Sequence, residues 1–190
     1  MLNYESLEDV IDMNKKKLCF KPNIQYPCIY DLRVLAHSRG WRSKENIFLL
    51  SDSVNRLFTF PQFGDDVYSY RKGQYYSPCG AFINSPILGG DSARNGQIGS
   101  DWLDRMELFA RCGIIKRVEA LKNEYEALID LLALNGEDLP LKIELRKHKN
   151  EFGWSPYSGI ALEEHWKSKT RKQCDILFRI LLILHYTECA

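Results

Sequence analysis

Long apolar runs, paired cysteines and a charge excess are all missing from this chain of 190 residues. Lys and Arg number 26 and Asp and Glu 25, so no global field draws it to DNA or to an acidic membrane. The six cysteines, at 19, 28, 79, 112, 174 and 189, form no Cys-x-x-Cys pair. That excludes a dense disulfide scaffold or zinc module and favours reduced thiols in a cytoplasmic protein with no metal and no cofactor. The apolar run from Ile176 to Leu184 is too short to span a bilayer and contains Arg179. Residues 1–20 mix acids with Lys15 to Lys17, unlike a signal peptide, and Cys189 is misplaced for prenylation. What remains is 45% hydrophobic and 27% charged, enough for a packed core and too apolar for disorder.

Helical spacing dominates. Ser6 precedes Leu7, Val10, Ile11 and Asn14, which predicts a short N-terminal helix closed by Lys15 to Lys17 and followed by a linker, over residues 1–25. Ile29, Leu32, Leu35 and Ala36 define a helix over 28–38 that Gly40, taken as left-handed, ends. Ser43 caps the next helix, striped by Ile47, Leu50, Val54, Leu57 and Phe58. These two helices make a first hairpin, 26–58. Residues 59–100 carry many Gly and Pro and read as a long irregular loop, with alternation near Val67 to Tyr70 allowing a short strand or hairpin.

A second hairpin, 101–136, starts at Ser100 or Asp101 and buries Trp102, Met106, Phe109 and Ala110. Gly113 stops its first helix; its second carries Ile115, Val118, Leu121, Tyr125, Leu128 and Leu132, with Lys122 and Glu126 paired in solvent. Residues 137–157 form a connector, with a short helix from Leu141 to Lys149. A third hairpin, 158–190, ends in the most apolar helix, Cys174 to Tyr186, in which Asp175 is the expected partner of Arg179. Having no polar face, that helix is expected to be enclosed or to serve as a homodimer or protein-partner interface.

The turns repeat. Leu35-Ala36, then Trp41-Arg42-Ser43-Lys44, returns as Ile160-Ala161, then Trp166-Lys167-Ser168-Lys169, and Asp31, Leu35 and Gly40 recur in spacing as Asp104, Leu108 and Gly113. With Met106 to Gly113 and Asp175-Ile176-Leu177-Phe178-Arg179, these segments resemble the α/α toroid superfamily of terpenoid cyclases and protein prenyltransferases, and more closely microbial proteins of that architecture. The resemblance implies an all-α fold of helical-hairpin repeats, a single domain forming part of a toroid around an apolar cavity. It does not extend to the superfamily's catalytic signatures: Phe63-Gly64-Asp65-Asp66 lacks the leading acid of the cyclase motif, and no cysteine follows an acid by two positions.

The expected function is therefore binding rather than catalysis, with an apolar small molecule or a protein as ligand. Trp41, Tyr70, Trp102, Glu107 and Trp166 are the candidate contacts, four rings and an acid suited to a cavity wall. The alternatives are an isoprenoid-type enzyme using other residues, and a nucleic-acid binder through the basic and aromatic segment 142–172, which Glu151, Glu163 and Glu164 dilute. Asp101, Asp104 and Glu107 read as a capping acid followed by surface ion pairs with Arg105 and Arg111. His185 and Cys189, one helical turn apart, are too few for zinc. His37, His148 and His165 lack a nucleophile partner.

Overall fold

Two lysines in the left-handed region overturn the expected N-terminal helix. Lys15 and Lys16 have φ of 46° and 69° in the computed structural model, which describes residues 9–22, 28–59, 67–76, 98, 100–135 and 168–189. They form a two-residue turn between strand β1 (Ile11–Asn14) and strand β2 (Lys17–Phe20), which pair antiparallel with Asn14 opposite Lys17. Positive φ at both central positions matches the right-handed twist of the flanking strands. Val10, Ile11, Cys19 and Phe20 are buried, so the apolar residues that mimic a helical stripe instead cover a small sheet. A second hairpin repeats the device: β3 (Ser69–Arg71) and β4 (Gln74–Tyr76) flank Lys72 and Gly73, with φ of 48° and 82°.

The all-α toroid expectation is thereby corrected: the described residues are mixed, forming five helices and two small antiparallel two-stranded sheets. It divides into two compact units, Met1–Ile87 and Leu88–Ala190. In the first, a single parallel bridge joins the hairpins: Tyr68 N–H donates to Leu18 O at 2.9 Å and Phe20 N–H to Tyr68 O at 2.8 Å. This unit also holds helices α1 (Ile29–His37) and α2 (Lys44–Thr59). Leu32 and Ala36 of α1, and Leu50 and Val54 of α2, are buried as the spacing predicts.

The turn between α1 and α2 works differently from expectation. Ser38 ends α1 in an extended conformation, and Gly40 is not left-handed. The terminal carbonyls of α1 are satisfied by side chains instead. Trp41 Nε1–H donates to Leu35 O at 2.7 Å and the Arg42 guanidinium to Ala36 O at 3.0 Å. Ser43 caps α2 as predicted, its Oγ accepting from Asn46 N–H at 3.1 Å, while the Asn46 amide donates to Trp41 O at 2.6 Å.

The second unit contains α3 (Ser100–Cys112), a short 3-10 turn (Ile115–Arg117), α4 (Glu119–Asn135) and α5 (Lys169–Glu188). Helix α3 is its centre: Leu103, Met106 and Phe109 are wholly buried, and Trp102, Leu108, Ala110 and Cys112 nearly so. Gly113, at φ 72°, stops α3 in a Schellman arrangement. Its N–H donates to Ala110 O at 2.9 Å and that of Ile114 to Phe109 O at 3.3 Å. Since Gly113 is left-handed and Gly40 is not, the two segments compared as a repeat turn by different means. Helix α5 starts earlier than the apolar pattern indicates, because Ser168 Oγ accepts from Arg171 N–H at 3.2 Å. Ile176, Ile180 and Ile183 face the core, whereas Phe178 and Leu181 are exposed, so α5 is enclosed on one side only.

Candidate functional site

The most concentrated chemistry in the second unit lies where α3 meets α5. Glu107 and Arg111 stand one turn apart on α3, and Arg111 Nε–H donates to Glu107 Oε1 at 2.7 Å. The other carboxylate oxygen, Oε2, accepts from the Arg179 guanidinium of α5. Arg111 reaches α5 as well, donating to the Tyr186 hydroxyl at 2.8 Å with its guanidinium carbon 4.2 Å from that ring's centroid. The expected surface ion pairs of Asp104 and Glu107 are therefore corrected: both acids are buried. They are enclosed because α3 is covered on more than the one face that an amphipathic hairpin would present. A carboxylate that holds Arg179 is Glu107 of α3, 72 positions away in the sequence.

With one guanidinium on each oxygen, Glu107 is a strong positional lock between helices. Two further links tie α4 into the same assembly. Trp102 Nε1–H donates to Glu124 Oε2 at 3.0 Å, and the Tyr125 hydroxyl donates to Glu188 Oε1 at 2.9 Å. Lys116 holds the other Glu188 oxygen at 2.9 Å. Burial, reinforced by the Glu188 hydrogen bond and charge, pushes the Tyr125 phenol up to about 12. The hydrogen bonds from Lys116 and then Tyr125 hold the Glu188 carboxyl below its ordinary value. Tyr125 is thus a hydrogen-bond donor at every ordinary pH.

In the first unit the hairpins assemble a different cluster. Lys17 Nζ lies 4.7 Å from the Tyr68 ring centroid and 4.8 Å from that of Tyr75, a cation held against two rings. Tyr70 sits 4.9 Å from Tyr75, and the Tyr75 hydroxyl donates to Asn14 O at 3.2 Å. Burial raises the pKa of nearby Cys19, although the Lys17 charge works against that rise.

The five candidate contacts fall into separate places. Trp102 and Glu107 share α3, where each makes a buried bond between helices. Trp41 caps α1, and Tyr70 belongs to the hairpin cluster. Trp166, the Asp65-Asp66 pair, the connector 137–157 and most of the basic segment 142–172 lie outside the described residues. Sequence reasoning missed Lys17, Tyr68 and Tyr75 as a group, although a Lys run followed by Leu18-Cys19-Phe20 carried a strand signal. Among the described residues no three His, Cys, Asp or Glu side chains could hold a metal, and no helix is long and apolar enough to cross a membrane. Cys189 Sγ lies 3.7 Å from His185 Nδ1, and the described cysteines form no disulfide with one another.

Compared with family models, curated proteins and solved structures, the chain matches none of them.

Proposed function

We propose that this chain is a self-associating interaction module whose outward face of α5 takes a second copy of the chain. The observation that carries this reading is the stripe Arg171, Cys174, Phe178, Leu181, His185 and Glu188, exposed along one side of α5. Phe178 and Leu181 at its middle are 38% and 61% exposed. The stripe is self-complementary. Arg171, Cys174 and Phe178 precede the point between Arg179 and Ile180 by the same steps by which Glu188, His185 and Leu181 follow it.

Two α5 helices crossing antiparallel on a two-fold axis therefore set Phe178 against the partner subunit's Leu181 and Arg171 against the partner subunit's Glu188. An isologous contact requires that kind of self-matching. One helix face buries less than a standard interface, so association in about the micromolar range is expected. Sedimentation velocity over a concentration series tests the reading. The parent should pass from monomer to dimer, and Leu181→Glu should remain monomeric with an unchanged circular dichroism spectrum. A parent that stays monomeric at about 100 μM, well above that range, or a Leu181→Glu variant that still dimerises, refutes it.

A further inference from the structure

A thiol and an imidazole stand together at the C-terminal end of α5. His185 and Cys189 are exposed, with Cys189 Sγ 3.7 Å from His185 Nδ1. Tetrahedral zinc, at about 2.3 Å from a thiolate and about 2.0–2.1 Å from an imidazole, sets its sulfur and nitrogen ligands about 3.6 Å apart. The pair thus has the separation of two ligands on one metal. Its backbone is fixed, because Cys189 N–H donates to His185 O at 3.0 Å. The carbonyl end of a helix carries partial negative charge, which favours a cation there. Two ligands do not make a site, and among the described residues one copy of the chain offers no set of three.

The third ligand comes from a second copy, an assignment that rests on the α5 contact. Exposed Cys174 precedes the point between Arg179 and Ile180 by the same steps by which His185 follows it. The antiparallel pairing therefore sets the partner subunit's Cys174 level with His185. Cys189 lies about 6 Å further along the axis, at about 1.5 Å per residue. Side chains on a helix tilt towards its N-terminus, and the two helices run in opposite directions. Cys189 thus leans back towards His185, while the partner subunit's Cys174 leans towards Cys189. At axis separations of about 8–10 Å, thiols from facing helices can meet on one ion.

We infer that zinc binds at this contact, each ion held by His185 and Cys189 of one copy and Cys174 of the other, with water in the fourth place. Two-fold symmetry gives two such sites, one on each side of the Phe178 and Leu181 contact. Thiolate and imidazole ligands select zinc over magnesium or calcium. Both thiols release their protons to solvent on binding. Two thiolates and a neutral imidazole then balance the zinc charge, and no net charge is left beside the apolar centre. Zinc supply sets how much of the chain is paired.

The test is sedimentation velocity of the full chain in a phosphine reductant, with EDTA or with zinc chloride, alongside absorption of the cobalt(II)-loaded protein. In EDTA the parent should dimerise with the affinity of the bare α5 contact. With free zinc at about ten times the site's dissociation constant, two linked sites should tighten the dimer about a hundredfold. Cobalt(II) should show thiolate charge-transfer bands and the intense visible bands of a tetrahedral ion. Cys189→Ser should dimerise in EDTA like the parent and lose the zinc response.

Mixing variants shows that the ligands come from two copies. Cys174→Ser and Cys189→Ser each lack a complete site as homodimers, whereas a mixed dimer has one. The cobalt bands should be weak in either variant alone and return when the two are mixed. A parent that dimerises in EDTA without being tightened by zinc overturns the metal site and leaves the α5 contact standing. A parent that is monomeric in EDTA and dimeric with zinc supports the site and refutes unaided association. Parent-like cobalt bands in Cys174→Ser alone, or none regained on mixing, overturn the inference.

Discussion

Replacing Glu107 by Gln removes the one negative charge that the Arg111 and Arg179 guanidiniums share while keeping the side chain's size. Side-chain accessibility at Glu107 and Arg179 is 6% and 8%, so water screens the change poorly. Breaking a buried charge pair by neutralising one member costs about 3–5 kcal/mol. Arg111, at 19%, retains some solvent and its Tyr186 contact, which places the expected loss near the lower end, about 3 kcal/mol. The exposed pair Lys122 and Glu126, 3.8 Å apart on α4, supplies the control: Glu126→Gln should change stability by less than about 0.5 kcal/mol. Urea denaturation followed by circular dichroism measures both variants, with amide exchange in α3 and α5 localising the effect. If Glu107→Gln and Glu126→Gln destabilise equally, the carboxylate is not what fixes α3 against α5.

At Trp41, substitution by Phe keeps a ring but deletes the donor to Leu35 O, and thermal unfolding should report a loss of about 1 kcal/mol. Trp41→Ala, at a half-buried site, should lose about 2 kcal/mol, and a variant as stable as the parent would dismiss the tryptophan as a helix cap. Tyr125 gives a pH signature. Its folded pKa, about 12, exceeds the ordinary 10.0, so its contribution is complete below pH 10.0 and is lost as pH rises towards 12. Near-ultraviolet absorbance should show one phenol ionising late, and that late phase should vanish in Tyr125→Phe; titration of all tyrosines near their ordinary value contradicts the buried hydrogen bond.

Local chemistry was legible in the sequence wherever it was confined to a few neighbouring residues. Ser43 capping α2, Gly113 stopping α3, and the buried stripes of α1 and α4 all follow from spacing within one element. The strands β1 and β2 escaped because each has four residues, too few for a period of two to outweigh a helical one. Lysine at a left-handed turn gave no warning, since asparagine and glycine are the usual signals there. Glu107 was read as a surface acid because Arg111 is an obvious partner one turn away, whereas Arg179 is supplied by a distant helix. The same misjudgement made α5 look like the enclosed helix, when the residues that closed over on all sides were those of α3.

That central position of α3 has a consequence for how the protein is made. The bond between Glu107 and Arg179 spans 72 positions, so a ribosome that has just finished α3 has yet to supply the helix that covers it. At roughly 5–20 residues per second, the delay lasts about 4–15 s, far longer than a helix takes to form. Throughout that interval Leu103, Met106 and Phe109 have no α5 to pack on, and Glu107 waits for one of its two guanidiniums. Nascent chains of this protein should therefore engage holding chaperones between the emergence of α3 and that of α5, and the second unit should fold late, once its most distant helix arrives.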